Sequence, residues 1–304
     1  MSLPKVDKIW MDGKLVNWDD ATVHVLTHCL HYGSGVFEGI RAYDTGNGPA
    51  VFRLTDHMKR LFRSAKIYRM EIPFTLEELV EATKNTVKAN KVKSCYIRPI
   101  AYRGYGGMGL YPMDVPVNVS IAVWPWGAYL GEEGIKHGVR VKISSFRRND
   151  PNAIPPAAKA CGQYINSILA KIEVVAAGYE EAILLNSEGL VSDGSGENVF
   201  TVRNGELFTP PTYTGALEGI TRDSVIKIAK DLGITITERE LVRTDLYLAD
   251  EVFFTGTAAE IVPIREIDDR VIGEPGEITK KLQGVFFDTV NGKESKYAGW
   301  MESV

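Results

Sequence analysis

Short apolar runs closed by glycine turns recur along this chain, while helical stretches are few and never alternate strictly with the strands. No other feature constrains the fold as much. A doubly wound parallel sheet requires that alternation, so strands grouped around a few helices predict an α+β fold. The first hairpin is typical: Lys8-Ile9-Trp10-Met11, an Asp12-Gly13 turn suited to the positive φ of a type I′ loop, then Lys14-Leu15-Val16. Strand-like runs follow at 22–26, 35–43, 94–102, 117–124, 139–143, 181–185, 190–192, 198–202, 206–208 and 251–256. Helical periodicity marks 54–68, capped by Thr55 or Asp56, and 75–90, which opens with the capping box Thr75-Leu76-Glu77-Glu78. It returns at 163–177, 221–231 and 278–291.

With 304 residues the chain has room for two domains. Proline and glycine break the periodicity in Trp124-Pro125-Trp126-Gly127, which predicts a smaller α+β domain over 1–124, a linker over 125–134 and a larger domain over 135–304. A formal net charge of −4, with no block of Lys or Arg, argues against nucleic acid or an anionic membrane as partner and points to small molecules. Cys29, Cys95 and Cys161 are odd in number and far apart, which predicts a reducing compartment with neither a disulfide framework nor structural zinc. No apolar run approaches the ~18 residues of a membrane span, and the start of the chain lacks a secretory h-region, so a cytoplasmic enzyme is expected.

Two motifs are set aside. His24, His28 and His31 fall at helical spacing, but without a His-Glu-x-x-His pattern and in a β-branched setting, so no metal is expected. Gly104 to Gly109 spells Gly-x-Gly-x-x-Gly, but Pro112 and Pro116 forbid the helix that a dinucleotide fingerprint requires, and the stretch reads as a flexible loop.

The chemistry centres on Lys159, alone among small residues in Pro155-Pro156-Ala157-Ala158-Lys159-Ala160-Cys161-Gly162-Gln163-Tyr164. Such a setting strips hydration and favours a neutral, nucleophilic amine, although a lone lysine here also reads as a side chain snorkelling from the following helix. Three features downstream suit a carbonyl cofactor on that amine. Gly219-Ile220-Thr221 opens a helix whose free N–H groups would take a phosphate, and Thr255-Gly256-Thr257-Ala258 offers a second turn. Glu197, after the Asp193-Gly194-Ser195-Gly196 turn and before an apolar strand, could face a protonated heterocycle nitrogen. Tyr164 could supply a hydroxyl.

Together, Ala158-Lys159-Ala160-Cys161-Gly162-Gln163-Tyr164, the Asp193–Asn198 run and Gly219-Ile220-Thr221-Arg222 closely resemble the class IV (fold type IV) pyridoxal-phosphate aminotransferases. Within that class they resemble the branched-chain amino acid aminotransferases. The likeness runs from His31-Tyr32-Gly33 and Phe37-Glu38-Gly39-Ile40-Arg41, through His57-Met58-Lys59-Arg60-Leu61, to Phe254-Thr255-Gly256-Thr257-Ala258. It implies that Lys159 holds pyridoxal 5′-phosphate and shuttles the substrate proton, Glu197 pairs with the pyridine nitrogen, and Tyr164 bonds the 3′-oxygen. Arg60, Leu217, Ile220, Thr221 and Thr257 would complete the cofactor site, chiefly around the phosphate. Tyr32, Phe37, Tyr96, Met108, Trp126 and Tyr129 would line the substrate pocket, with Arg98 for the acidic side chain of glutamate or 2-oxoglutarate and Thr257 and Ala258 for the α-carboxylate. The implied reaction exchanges an amino group between Leu, Ile or Val and 2-oxoglutarate, in a homodimer or higher homo-oligomer. A D-amino acid or (R)-amine transaminase, an aminodeoxychorismate lyase, or a binding protein that has lost the cofactor remain as alternatives. Arg103-Gly104-Tyr105-Gly106-Gly107 departs from the usual bacterial loop, which leaves the breadth toward aromatic acids and amines open.

Overall fold

A computed structural model describes residues 3–127 and 129–304. The chain divides into two compact units, one of Met1–Trp126, Ala158–Gly162 and Thr289–Val304, the other of Gly127–Ala157 and Gln163–Asp288. The sequence reading runs the second domain unbroken from 135. Ala158–Gly162 and Thr289–Val304 lie instead in the first unit, because their backbones add to its sheet: Ala160 bridges Val36, and Met301–Ser303 pairs with the strand ending at Phe52.

The first unit contains β1 (Lys8–Met11), β2 (Lys14–Asn17), α1 (His28–Tyr32), β3 (Gly35–Phe37), β4 (Ile40–Thr45), β5 (Gly48–Phe52), α2 (Leu54–Ile67), α3 (Leu76–Ala89), β6 (Cys95–Arg103) and β7 (Val117–Trp124). Its eight-stranded sheet runs from Met301–Ser303 through β5, β4, β6, β7 and β1 to β2, with β3 also on β6, and these pairs are antiparallel. Asp12 and Gly13 take positive φ at the first hairpin, as a type I′ turn requires. The core gathers Val36, Ile40, Leu54, Met58, Leu61, Ile97, Val119, Ile121 and Val123. Residues 22–26 are not a strand. Val23, Val25 and Leu26 are exposed, and β-branching without a pairing partner does not make a sheet.

The second unit contains α4 (Gly131–His137), β8 (Val139–Arg147), α5 (Tyr164–Ala176), β9 (Glu181–Leu185), β10 (Val191–Gly194), β11 (Asn198–Arg203), β12 (Glu206–Thr209), α6 (Ile220–Asp231), β13 (Ile236–Glu238), α7 (Arg243–Tyr247), β14 (Glu251–Gly256), β15 (Glu260–Ile267), β16 (Arg270–Val271) and α8 (Glu277–Val290). Its sheet is mixed, in the order β10-β9-β8-β15-β14-β11-β12-β13 with β16 on β15; β8 runs parallel to both β9 and β15. Helix α4 begins inside the stretch read as linker.

The start of α2 matters for the site and departs from the sequence reading. Neither Thr55 nor Asp56 is its cap. Arg53 holds that position in the left-handed region (φ 49°) and donates Nε to Asp56 at 2.7 Å. The Thr55 N–H and hydroxyl both go to the Glu302 carboxylate, at 2.7 and 2.9 Å. An acid 247 residues away thus satisfies the helix start, and no local pattern could have announced it. Glu302→Ala should cost about 1–2 kcal/mol of stability by leaving that end uncapped. The shift of the urea-unfolding midpoint measures it, and no shift would show the cap to be idle.

Candidate active site

Lys159 is fixed at its root from two sides. Its carbonyl accepts the Phe37 N–H (2.9 Å), the Cys161 N–H reaches Gly35 O (2.8 Å), and the Gly162 N–H reaches Gly33 O (3.2 Å), so the segment lies strand-like along β3. From the other side, Ser64 Oγ on α2 accepts the Lys159 N–H at 3.0 Å. Ala158 and Ala160 are buried, and Nζ stands 5.1 Å from the centre of the Phe37 ring. The aromatic neighbour comes from much earlier in the sequence and is not legible beside Lys159.

His57, Arg60 and Ser64 share one buried face of α2 at i, i+3 and i+7, beside the stripe of Leu54, Met58, Leu61 and Ala65 in the core. That face meets Glu38, which has no exposed surface. Arg60 grips both carboxylate oxygens, Nε to Oε1 at 2.7 Å and Nη2 to Oε2 at 2.8 Å, and His57 Nδ1 lies 2.8 Å from Oε2. Burial alone would raise the Glu38 carboxyl, but the Arg60 guanidinium and the His57 ring outweigh it and hold it well below the usual range. Burial also lowers the His57 pKa despite Glu38. A neutral imidazole beside an ionised carboxylate must donate, so Nδ1 carries the hydrogen.

Tyr96 and Arg98, two apart on β6, project to one side, and aromatic rings collect there. The Arg98 guanidinium carbon lies 4.8 Å from the Phe37 ring centre, 5.2 Å from that of Tyr96 and 5.8 Å from that of Trp124. Its Nη2 donates to Tyr96 Oη at 3.3 Å, its buried Nε has no hydrogen-bond partner, and among the described residues no carboxylate pairs with it. Trp126 meets Tyr96 edge-on at 4.7 Å. Gly39 makes room for the phenol, since a Cβ there would stand 2.0 Å from Tyr96 Oη.

Nearby, Tyr32 Oη donates to Met108 O at 3.1 Å, and buried His28 joins Ser34 Oγ (2.7 Å) to Gly109 O (3.1 Å), which ties the glycine loop to α1. No helix follows that loop. His31 reaches Val25 O and His24 packs on Tyr105. Among the described residues no His, Cys, Asp and Glu cluster could hold a metal ion.

The second unit collects the remaining candidates. Asn198 pairs with Thr255 in the β11–β14 register, which sets Glu197 beside Gly256 and the turn of Thr257 and Ala258. A Cβ on Gly256 would lie 3.3 Å from Glu197 Cγ. Glu197 is buried, accepts the Gly196 N–H at 3.0 Å, and has its pKa pushed up to about 8, first by burial and then by the Glu181 carboxylate. Lys171 Nζ pairs with Glu181 at 2.6 Å. Arg148 secures the preceding strand, with Nε to Asp193 Oδ1 at 2.8 Å and Nη2 to Gly194 O at 2.6 Å. Asn198 Nδ2 donates to Leu217 O at 2.9 Å. Helix α6 starts at Ile220 after Gly219 and no side chain caps it; the N-terminal end of a helix favours an anion. Tyr164 opens α5, and the Tyr129 ring centre lies 5.4 Å from Lys171 Nζ.

Lys159, Arg60, Tyr32, Phe37, Tyr96, Arg98, Met108 and Trp126 thus belong to the first unit, and Tyr129, Tyr164, Glu197, Leu217, Ile220, Thr221, Thr257 and Ala258 to the second. Sequence reasoning gives no role to Glu38, His57, Ser64, Arg148, Lys171 or Glu181. Only the i, i+3 spacing of His57 and Arg60 could have hinted that both serve one buried acid.

The family model described as amino-transferase class IV matches residues 35–267. The branched-chain-amino-acid aminotransferase of Pseudomonas aeruginosa is 50% identical over 294 residues, covering 96% of this chain and 95% of that one. The crystal structure of the Escherichia coli branched-chain amino acid aminotransferase superposes with a TM-score of 0.96 at 48% identity, covering 98% of this chain and 99% of that one. The branched-chain amino acid aminotransferase of Thermobaculum terrenum in its PLP-bound holo-form gives a TM-score of 0.91 at 38% identity, covering 98% of each chain.

The raised Glu197 pKa has a consequence for stability. A carboxyl that titrates near 8 when folded and near 4.5 otherwise binds its proton more tightly in the folded state. The cofactor-free protein should therefore lose stability as pH rises from about 4.5 toward 8 and level off above, by on the order of a few kcal/mol. Glu197→Gln should remove that slope. Parallel urea titrations of both proteins across this range check it, and identical slopes would refute it.

Proposed function

The chain belongs to the class IV aminotransferase family, and from that premise we propose that Lys159 holds its cofactor and that Arg98 selects its acidic substrate. The protein is a branched-chain amino acid transaminase that uses pyridoxal 5′-phosphate. It moves the amino group reversibly between Leu, Ile or Val and 2-oxoglutarate. The relatives above carry the branched-chain name, which disfavours the D-amino acid, (R)-amine and lyase readings.

The residues fit this cofactor on their own chemistry. Glu197 is a buried carboxyl without a cation bonded to it, and a protonated pyridine would supply one. The uncapped start of α6 offers N–H groups to a phosphate, and Lys159 presents an amine against an aromatic ring. When bound, pyridoxal phosphate supplies an aldehyde for an amine and a protonated ring that draws electron density away from the substrate Cα–H bond.

Lys159 Nζ would hold the cofactor at its aldehyde and would move the proton at the substrate Cα. Glu197 would accept the ring N–H, and that cation would favour its ionised form. Arg60 presents its guanidinium to the phosphate with its orientation set by Glu38 and His57, and Ile220, Thr221 and Thr257 add hydrogen-bond donors, with Leu217 beside them. Tyr164 bonds the 3′-oxygen. Thr257 and Ala258 take the α-carboxylate. Phe37, Tyr96 and Trp126 exclude water around a branched side chain, and Tyr32, Met108 and Tyr129 extend that wall.

The observation that carries the substrate reading is Arg98. It is a cation over three aromatic rings with no acid of the described residues to neutralise it. An apolar side chain packs on those rings, whereas an acidic one meets the guanidinium. Arg98→Met should weaken glutamate and 2-oxoglutarate by about 1.5–3 kcal/mol in kcat/KM and leave leucine nearly unchanged. Measuring each half-reaction separately decides it, and equal losses would make Arg98 structural.

For Lys159, borohydride reduction of the loaded enzyme followed by peptide mapping should label this residue alone. Label on another lysine, with Lys159→Ala still turning over, would overturn the assignment. We also place the enzyme in the cytoplasm as a homodimer or higher homo-oligomer. Three free thiols support the first, and no helix of the described residues is long and apolar enough to cross a membrane. The exposed stripe of Ile165, Ile168, Leu169, Ile172 and Val175 along α5 supports the second.

A further inference from the structure

Two of the three thiols, widely separated in sequence, meet beside the Lys159 segment. Cys29 lies on α1, and Cys161 stands two residues past Lys159 with its N–H on Gly35 O. Both sulfurs lean over Gly35, where a Cβ would lie 2.8 Å from Cys29 Sγ and 3.0 Å from Cys161 Sγ. The missing methyl group allows them to share that space. Each thiol bears on the other: the neighbouring Cys161 thiol lowers the Cys29 pKa, and Cys29 together with burial raises that of Cys161, so Cys29 is the thiolate-prone partner. Both are half-buried, whereas Cys95 is buried. Cys95, fully buried and pushed up to about 12 by burial, is neither paired nor reactive.

We propose that Cys29 and Cys161 form a modification site, a dithiol that a hydroperoxide closes to a reversible disulfide, and that this closure displaces Lys159. The Cys29 thiolate attacks one peroxide oxygen; the S–O bond forms, the O–O bond breaks and the alcohol, or water from hydrogen peroxide, leaves with a proton. Cys161, giving up its proton, then attacks the Cys29 sulfenic sulfur; the S–S bond forms, the S–O bond breaks and water leaves. Two electrons pass from the sulfurs to the peroxide, and a thiol reductant reverses the reaction by exchange. Because Cys161 and Lys159 share one extended segment, drawing Cys161 onto Cys29 shifts the backbone that Ser64 and Phe37 hold. Only this last consequence rests on the role proposed for Lys159.

The test uses the full chain loaded with pyridoxal phosphate and treated with hydrogen peroxide. Peptide mapping without reductant should recover Cys29 and Cys161 cross-linked, two hydrogens lighter than the separate peptides, with Cys95 still alkylatable. Transamination should fall roughly 10²-fold, the scale of an ångström misplacement of a reacting group, and return with dithiothreitol. Cys29→Ser should keep its basal rate, form no cross-link and resist that loss. Recovery of Cys29 and Cys161 as separate thiols or sulfinic acids overturns the proposal. A cross-link without loss of rate overturns the coupling to Lys159. If the untreated enzyme transaminates nothing, the functional reading fails while the peptide map still decides the thiol pair.

Discussion

The pairing of residues 159–162 with 33–37 is the interaction on which the rest of the site depends. It brings a late piece of chain onto a strand formed early, and the Ser64 hydroxyl secures it from the helix above. A lysine on a free loop would wander over ångströms, whereas one whose peptide groups are bonded on both sides keeps only its side-chain torsions. The same pairing sets Phe37 under the amine and the two thiols over Gly35. Position, proposed reactivity and proposed sensitivity to oxidants thus follow from one short ladder.

The two buried acids show opposite solutions to one electrostatic problem. Glu38 is compensated within the chain, since Arg60 and His57 together outweigh its desolvation and leave it ionised. Its work is to orient Arg60. Glu197 accepts one backbone N–H and feels the charges of Glu181 and Asp193 as well as that of Lys171, so burial prevails and it retains a proton until a cation bonds to it directly. An uncompensated buried carboxyl costs stability, and that cost is what a cationic ring would relieve. The difference between the two sites separates a structural acid from a receptive one.

The role proposed for Arg98 in substrate selection rests on the same contrast. Placed over Phe37, Tyr96 and Trp124 instead of against an acid, its charge is stabilised by ring faces that also accept hydrocarbon. On that proposal one wall would serve branched and acidic side chains without rearranging. Gly39 is part of this device, because any larger residue would collide with the Tyr96 hydroxyl.

The amino-acid sequence by itself determined the α+β class, most strands and helices, the capping box at Thr75 and, through several ordered motifs, the family. These are local properties: periodicity, turn chemistry and runs of residues that a reader of the chain meets together. Tertiary structure alone decided what crosses long sequence distances. Glu302 caps α2, Lys159 lies in the first unit and not the second, Glu38 rather than solvent holds Arg60, and Cys29 meets Cys161. Residues 22–26 look like a strand and are not, because a strand is defined by a neighbour that sequence does not name. Side-chain identity sets what each group can do, but burial and partners set what it does, and both arise only when distant segments pack.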